Sequence, residues 1–557
     1  MHQAPEAHVA DAPAFDDAAL SATERRDGAL ASWRQALQQQ GAVGAARAAR
    51  GHFAIGLRDQ DGAAFLAVDR FATQTLCYSI GADGLRFSPR ADDLATSRDD
   101  IDLQSIYDYL YFHAIPAPRT VFRGVQRLPA GHCLTFANGQ ATLQRYWQPS
   151  FDERPAGFAT SRQRFRDLLA QAVRRQLDGT RAACFLSGGT DSSTVAGMIG
   201  EVSGKPAATY SIGFEAEGYD EMAFARIAAR HFGTEHHEYY VTPADLVRSI
   251  PAMAKHHDQP FGNSSALPAF YCALKAREDG VTRLLAGDGG DELFGGNSRY
   301  ATQRVFAWYQ ALPAALRKHA LEALTDRGTL DALPLLRKVA SYVRQARVPM
   351  PDRLQTYNLL GRMGREQVLT PAFLAQVNAQ GPAQQERDVW SESGGASLVN
   401  RMLAFDWRYT LAENDLPKVR GAAELAGVTV GYPLLDQDLV EFSEQLSSDD
   451  KLRRLKLRWF FKEALRGFLP DEIITKKKQG FGLPFGVWAT RDAALKALAV
   501  DSVRGLGERG IVRREFTSDL VDHYLPEHPG YYGSMVWILM MLEQWFRAHA
   551  PDYKLAG

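Results

Sequence analysis

The chain has 557 residues, 45% apolar and 23% charged, an ordinary globular composition with room for roughly two to four domains. Lys plus Arg total 64 against 65 Asp plus Glu, a net charge of −1, so the basic excess of a protein that grips phosphate backbones is missing and no nucleic-acid partner is expected. The four cysteines, Cys77, Cys133, Cys184 and Cys272, form no CxxC pair, which argues against a zinc site or a disulfide framework and for reduced, buried thiols in a cytoplasmic protein.

Residues 1–30 read as a flexible N-terminal tail, because Met1 to Ala19 carry several acids and no apolar h-region. The Ala-rich stretch from Leu30 predicts a helix. From Gly51 the grammar turns to strands: 52–57 and 64–68 around the turn Asp59-Gln60-Asp61-Gly62, then 77–80, 85–87 and 131–136 with Asn138-Gly139. A domain over 31–150 follows, closed by a linker at 148–157.

After the linker the pattern is α/β, and a second domain is expected over 158–557. A helix near 163–177 leads to the apolar strand 182–186, a glycine loop and a helix from about Ser192. Strands at 208–213 and 283–286 complete a parallel sheet flanked by helices. Beyond Tyr300 the chain is mostly helical, with the helical part at about 301–415 and no internal repeat. Met535 to Leu542 is the longest apolar stretch near the end, far short of the ~20 residues of a membrane span, and reads as a core helix; no membrane partner is expected.

Two loops carry the chemistry. Strand 182–186 runs into Ser187-Gly188-Gly189-Thr190-Asp191-Ser192-Ser193. Its glycines admit a phosphate, its hydroxyls donate to it, and the helix that follows offers free N–H groups. Asp191 would repel a polyphosphate unless a divalent cation bridged them, which is the role of Mg²⁺. Strand 283–286 runs into Gly287-Asp288-Gly289-Gly290-Asp291-Glu292, also at the strand end where open α/β sheets bind ligands. Its acids do not alternate as an EF-hand loop requires. Two glycine-lined acidic loops on one sheet edge suggest a metal–nucleotide site.

The pair SGGTDSS and GDGGDELFGG resembles the synthetase domain of the asparagine synthetase family. The likeness continues through Asp415-Leu416-Pro417-Lys418, Tyr432-Pro433-Leu434-Leu435-Asp436 and Lys478-Gln479-Gly480-Phe481-Gly482, and in the N-terminal half through Gly51-His52-Phe53-Ala54, Asp69-Arg70-Phe71 and Leu128-Pro129-Ala130-Gly131-His132. It covers roughly residues 45–490. The resemblance implies an adenine-nucleotide α-hydrolase-like sheet in the C-terminal half and a truncated Ntn-hydrolase-like α+β sandwich in the N-terminal half. It implies ATP and Mg²⁺ as cofactors, with Ser187, Gly188, Gly189, Thr190, Asp191, Ser192, Ser193, Ser211, Gly287 and Gly289 around the nucleotide. Asp191 and Asp291 are then the metal ligands, and Lys478, Asp288 and Asp415 the catalytic groups. The partners implied are a small-molecule or peptide carboxylate and an amine or ammonia, and a homodimer is the assembly considered.

Family members that use glutamine begin Met-Cys-Gly, whereas this chain begins Met1-His2-Gln3-Ala4, and the family's glutamine-binding segments have no counterpart before Gly51. The expectation is therefore a degenerate amidotransferase-like domain without glutaminase activity. The family's Arg-x-Pro is here Gly431-Tyr432-Pro433, which removes a guanidinium suited to a carboxylate. The reading is an AMP- and pyrophosphate-forming carboxylate–amine ligase. Its alternatives are a tailoring amide or macrolactam ligase like the β-lactam synthetases and lasso-peptide cyclases, an RNA-adenylating enzyme, and a non-catalytic scaffold.

Overall fold

The computed structural model describes residues 7–11, 14–154, 156–313, 334–477 and 482–555, with the backbone only for 334–339. Among these residues the chain forms two five-stranded sheets, one in each half.

In the N-terminal half the strands are β1 (Ala7–Ala10), β2 (Ala54–Arg58), β3 (Ala64–Val68), β7 (His132–Ala137) and β8 (Gln140–Arg145). They lie in the order β1-β2-β3-β7-β8, antiparallel throughout. Strand alternation sends β3 side chains to two cores. Phe65 and Ala67 meet Trp33 and Phe15 beneath helices α1 (Ala18–Asp27) and α2 (Ala29–Ala48). Leu66 and Val68 meet Tyr78 and Phe87 of a three-stranded sheet made of β4 (Cys77–Gly81), β5 (Gly84–Ser88) and β6 (Val125–Arg127). Helices, sheet and sheet thus stack in three layers. The turn at Asn138-Gly139 has both residues at positive φ, as its sequence predicts.

The expected tail over residues 1–30 is corrected in part. Residues Ala7–Ala10 supply the edge-strand hydrogen bonds to β2. Asp17 caps α1 by accepting from the Ala19 and Leu20 N–H groups at 2.9 Å each, and Leu20 is fully buried. Edge pairing and a side-chain cap order this segment without any hydrophobic periodicity to announce it. The linker at 148–157 is also tied down: Ser150 donates its N–H to Glu444 at 2.9 Å and Arg154 donates its own to the Gln445 carbonyl at 2.8 Å.

The C-terminal half is built on β9 (Ala183–Phe185), β10 (Ala208–Phe214), β11 (Glu235–Val241), β12 (Arg283–Leu285) and β13 (Thr429–Gly431). All pairings are parallel and the order is β11-β10-β9-β12-β13. Helices cover the sheet; α3 (Phe158–Gln176) buries Phe165, Leu169, Ala172 and Val173, one face of a 3.6-residue period. The interior strand β10 is buried throughout, as a parallel strand covered on both faces must be. The order reverses between β9 and β12, so the two glycine loops leave neighbouring strands at the switch point, where a crevice opens. Met535 to Leu542 lies inside the buried helix Pro529–His549. Among the described residues no helix is long and apolar enough to cross a membrane, and all four cysteines are free and buried.

Candidate active site

The two loops interlock through their glycines. A Cβ on Gly287 would stand 2.7 Å from the Ser192 nitrogen and 2.9 Å from the Asp191 carbonyl carbon, and one on Gly290 would meet the Asp191 carboxylate. Gly188, at φ +68°, passes so close to Phe224 and Ala225 that a side chain has no room there. Residue type at these positions is dictated by backbone contact. The Ser187 and Ser192 hydroxyls lie 3.0 Å apart and brace the first loop. The helix α4 (Thr190–Ser203) then starts with no side chain capping its first N–H groups, which leaves its positive dipole end to an anion.

A cavity of about 900 Å³ opens at this point. Its walls include Ser187, Gly189, Thr190, Asp191, Ser192, Gly287, Asp288, Gly289, Asp291 and Asp415. Its lining also includes the apolar Phe185, Ile212, Pro268 and Ala269 with Tyr210 and Cys272. Three of the residues expected to touch nucleotide stand behind the wall. Gly188 is packed on the helix behind it, Ser193 is fully buried, and Ser211 donates its hydroxyl to the Leu186 carbonyl at 2.5 Å, tying β10 to the loop. Lys478 lies outside the described residues.

In this cavity the expected metal carboxylates converge on an arginine that sequence reasoning missed. Arg458 Nη1 donates to Asp191 Oδ2 at 2.8 Å and to Asp291 Oδ1 at 2.7 Å, while Nη2 donates to the other oxygen of Asp191. The guanidinium lies over the Phe461 ring at 4.2 Å. Burial works against its charge, but Asp191 and Asp291 outweigh burial and hold its pKa above the usual arginine range. Lys462 nearby is held below the usual lysine range by burial and by Arg458. The donor set fits Mg²⁺: two carboxylates beside a phosphate-sized crevice are what that ion takes when the remaining oxygens come from substrate and water. Among the described residues no cluster of three or more His, Cys, Asp or Glu forms an all-protein cage.

Asp288 and Asp415 meet across Lys418, whose Nζ is 3.0 Å from Asp415 Oδ1 and 3.5 Å from Asp288 Oδ1. Burial opposes the Lys418 charge, yet the two carboxylates raise its pKa. Asp288, with the weaker share of that cation, has its carboxyl pushed up by burial, against Lys418 and with help from Asp415. The chain delivers Asp415 through a π-helical stretch, Trp407–Asp415, set between helix Leu398–Asp406 and α5 (Leu416–Ala426). Pro417 offers no N–H to the preceding turn and its ring crowds it, and the wider π turn absorbs the mismatch. The N-terminal half holds this stretch from outside: Glu413 pairs with Arg127 and Arg408 and accepts from the Ala117 N–H at 3.2 Å.

Two further observations qualify the sequence reading. Lys476 pairs with Glu221 at 3.0 Å, its side chain 9% exposed, and lines the cavity. Gly431 ends β13 with Gln176 Oε1 and Leu285 at 2.6 and 2.8 Å from where a Cβ would be. A longer side chain there would displace the hydrogen bond between Arg283 and Gln176.

A family model described as asparagine synthase matches residues 164–547, and one described as a glutamine amidotransferase domain matches residues 34–147. The asparagine synthetase [glutamine-hydrolyzing] 1 of Bacillus subtilis is 24% identical over 454 residues, covering 80% of this chain and 69% of the relative. A putative asparagine synthetase [glutamine-hydrolyzing] of Mycobacterium tuberculosis is 25% identical over 459 residues, covering 79% and 68%. The amidase chry2 of Gibberella zeae is 25% identical over 516 residues, covering 85% and 75%.

Proposed function

The chain belongs to the asparagine synthase family of ATP-dependent C–N ligases, and from that premise we propose that it activates a carboxylate as an acyl-adenylate, releases pyrophosphate, and passes the acyl group to ammonia or a substrate amine. The observation that carries the reading is the meeting of the two glycine loops at the switch point, with Asp191 and Asp291 drawn to one spot. The apolar lining of Tyr210, Ile212 and Pro268 suits a base, and the first turn of α4 with Ser187 and Gly189 suits the phosphates. Mg²⁺, held by Asp191 and Asp291, would offset charge on the phosphates and polarise the bond that breaks. Lys478 is assigned to the same developing charge, on the resemblance alone.

Asp288, Lys418 and Asp415 serve the second half of the reaction. A carboxylate with a raised pKa is a fitting acceptor for the proton of an attacking amine. Lys418 holds the two acids together and fixes their orientation. In the amidotransferase-like half, Cys77 and Cys133 are buried, with thiols pushed up by that burial, Cys133 to about 11. Neither is poised as a nucleophile, so nitrogen enters as ammonia or as an amine and the N-terminal half serves as a brace for the stretch bearing Asp415.

The test is carboxylate-dependent ATP–pyrophosphate exchange with a panel led by aspartate and extended to larger acids. AMP and pyrophosphate are expected as products. ADP in their place, or no exchange with any acid, would sink the mechanism. Exchange with aspartate and formation of asparagine from ammonia marks the primary ligase; exchange with larger acids alone marks a tailoring ligase.

A further inference from the structure

We propose that Arg458 bars a free divalent cation from the Asp191–Asp291 pair, and yields the position only when the cation arrives with nucleotide. The inference rests on the ATP reading above and adds an order of events to it.

Three observations carry it. The guanidinium occupies both carboxylates at once: it meets Asp191 as a fork, through Nη1 and Nη2, and reaches Asp291 from Nη1 at 2.7 Å. A bidentate charge-assisted contact is among the stronger pairings available to a carboxylate, and arginine cannot shed its proton to make way. The second observation concerns where an evicted guanidinium could go. Lys418 engages Asp288 and Asp415, Lys476 engages Glu221, and Arg466 engages Glu463. A cation entering alone would therefore leave the buried guanidinium beside a dication, with these neighbouring acids already paired. A cation entering on a polyphosphate brings acceptor oxygens with it, and the guanidinium can turn to them.

The third observation is the element from which Arg458 hangs. It follows a two-stranded hairpin, Leu452–Arg453 paired with Lys456–Leu457, whose tip residue Leu455 is 45% exposed. Arg454 and Arg458 both take positive φ, 58° and 55°, a region a side-chain-bearing residue adopts only where its surroundings hold it. Residues Leu455 to Trp459 line the cavity. The arginine thus stands at the cavity wall between this hairpin and the helix Trp459–Ala464, where its long side chain can turn about its own bonds.

The test reads metal binding without nucleotide. Full-length protein is titrated with Mn²⁺ alone and free Mn²⁺ is followed by electron paramagnetic resonance. The wild type is expected to bind weakly, and R458M, which keeps much of the side-chain length and loses the charge, at least about tenfold more tightly. Adding D191N to R458M should abolish the gain, placing the ion on that carboxylate. R458K keeps a charge but cannot fork across both acids, so its affinity should fall between the two, and it replaces R458M if thermal melts show that variant unfolded. Nucleotide-free binding no tighter in the folded variants than in the wild type would overturn the proposal. A separate titration of the wild type with Mg²⁺–ATP keeps the failures apart. If it binds no Mg²⁺–ATP, the ATP reading falls and this inference with it; if it binds Mg²⁺–ATP while R458M leaves Mn²⁺ affinity unchanged, only the role of Arg458 falls.

Discussion

Each half of the molecule sets an aspartate beyond a strand end, and the two are held in contrasting ways. In the N-terminal half Asp69 is 3% exposed and accepts from the backbone N–H groups of Phe53 at 3.1 Å, Phe71 at 2.9 Å and Thr73 at 3.1 Å, and from the Thr73 hydroxyl. In the C-terminal half Asp191 is held by the Arg458 side chain at the wall of a cavity. A carboxylate spent on backbone donors is part of the fold, because nothing can replace those donors without unravelling the loop. A carboxylate held by a side-chain cation can exchange that cation for another. The same acid residue is thus architecture in one half and, on the proposed reading, a metal ligand in the other, and the difference lies in the donor.

The sharpest way to break this contrast is to neutralise both. D191N and D291N should each lower ATP–pyrophosphate exchange per folded molecule by about 10³-fold, since removing a preorganised electrostatic contact to the reacting phosphates costs on that scale. D69N should do the reverse. It leaves N–H donors facing a weaker acceptor and should cost about 2–3 kcal/mol of stability, while exchange per folded molecule holds. Equal losses of exchange in D69N and D191N, measured on the folded fraction, would erase the distinction.

The motifs that reveal the C-terminal site are those in which residue type answers to a local demand. Gly188 and Gly287 are legible because backbone meets backbone there, and the apolar runs before them because a covered parallel strand is apolar on both faces. Arg458 was not legible. It lies 267 residues from Asp191, its flanks read as an ordinary basic and aromatic stretch, and only the tertiary fold brings it between the two acids. The π-helical stretch that aims Asp415 has no sequence period of its own, although Pro417 marks where the helix is forced to widen. Ala7–Ala10 was invisible for a related reason: an edge strand lives on backbone hydrogen bonds, which any sequence can make. Ser211 shows a different case, a residue assigned by resemblance whose hydroxyl donates to the Leu186 carbonyl and ties β10 to the loop.

Lys418 supplies a test of intermediate size, because it separates the two chemical steps. K418M should lower amide formation by about 10²-fold and leave exchange within a few fold, since Lys418 holds Asp288 and Asp415 and touches neither Asp191 nor Asp291. The pH dependence gives the sign. Burial already raises the Asp288 pKa and Lys418 pulls it down; without the lysine it rises further. The ionised form is then lost sooner as pH falls, so the acid limb of the pH–rate profile for amide formation should move to higher pH in K418M. A shift to lower pH, or an unmoved profile with amide formation intact, would remove Asp288 from the proton-accepting role.

The smallest effect expected is at the thiols of the N-terminal half. A thiol pushed up to about 11, as burial does to Cys133, leaves only about one part in 10⁴ as thiolate at neutral pH, and Cys77 is buried in the same way with its pKa raised. Neither side chain has a cationic neighbour close enough to reverse this, and Cys133 lies in an apolar core with Trp33, Phe53 and Ala67. Replacing both with alanine should therefore leave ammonia-dependent amide formation within about twofold, at a stability cost of about 1 kcal/mol for the lost packing. Glutamine should yield no product amide in either the wild type or the double variant. Activity with glutamine in the wild type, lost in the double variant, would move these thiols into the chemistry and the N-terminal half with them. Activity with glutamine that survives the substitution would place the nitrogen-releasing nucleophile elsewhere, and the brace role of this half would then be an addition to a working amidotransferase.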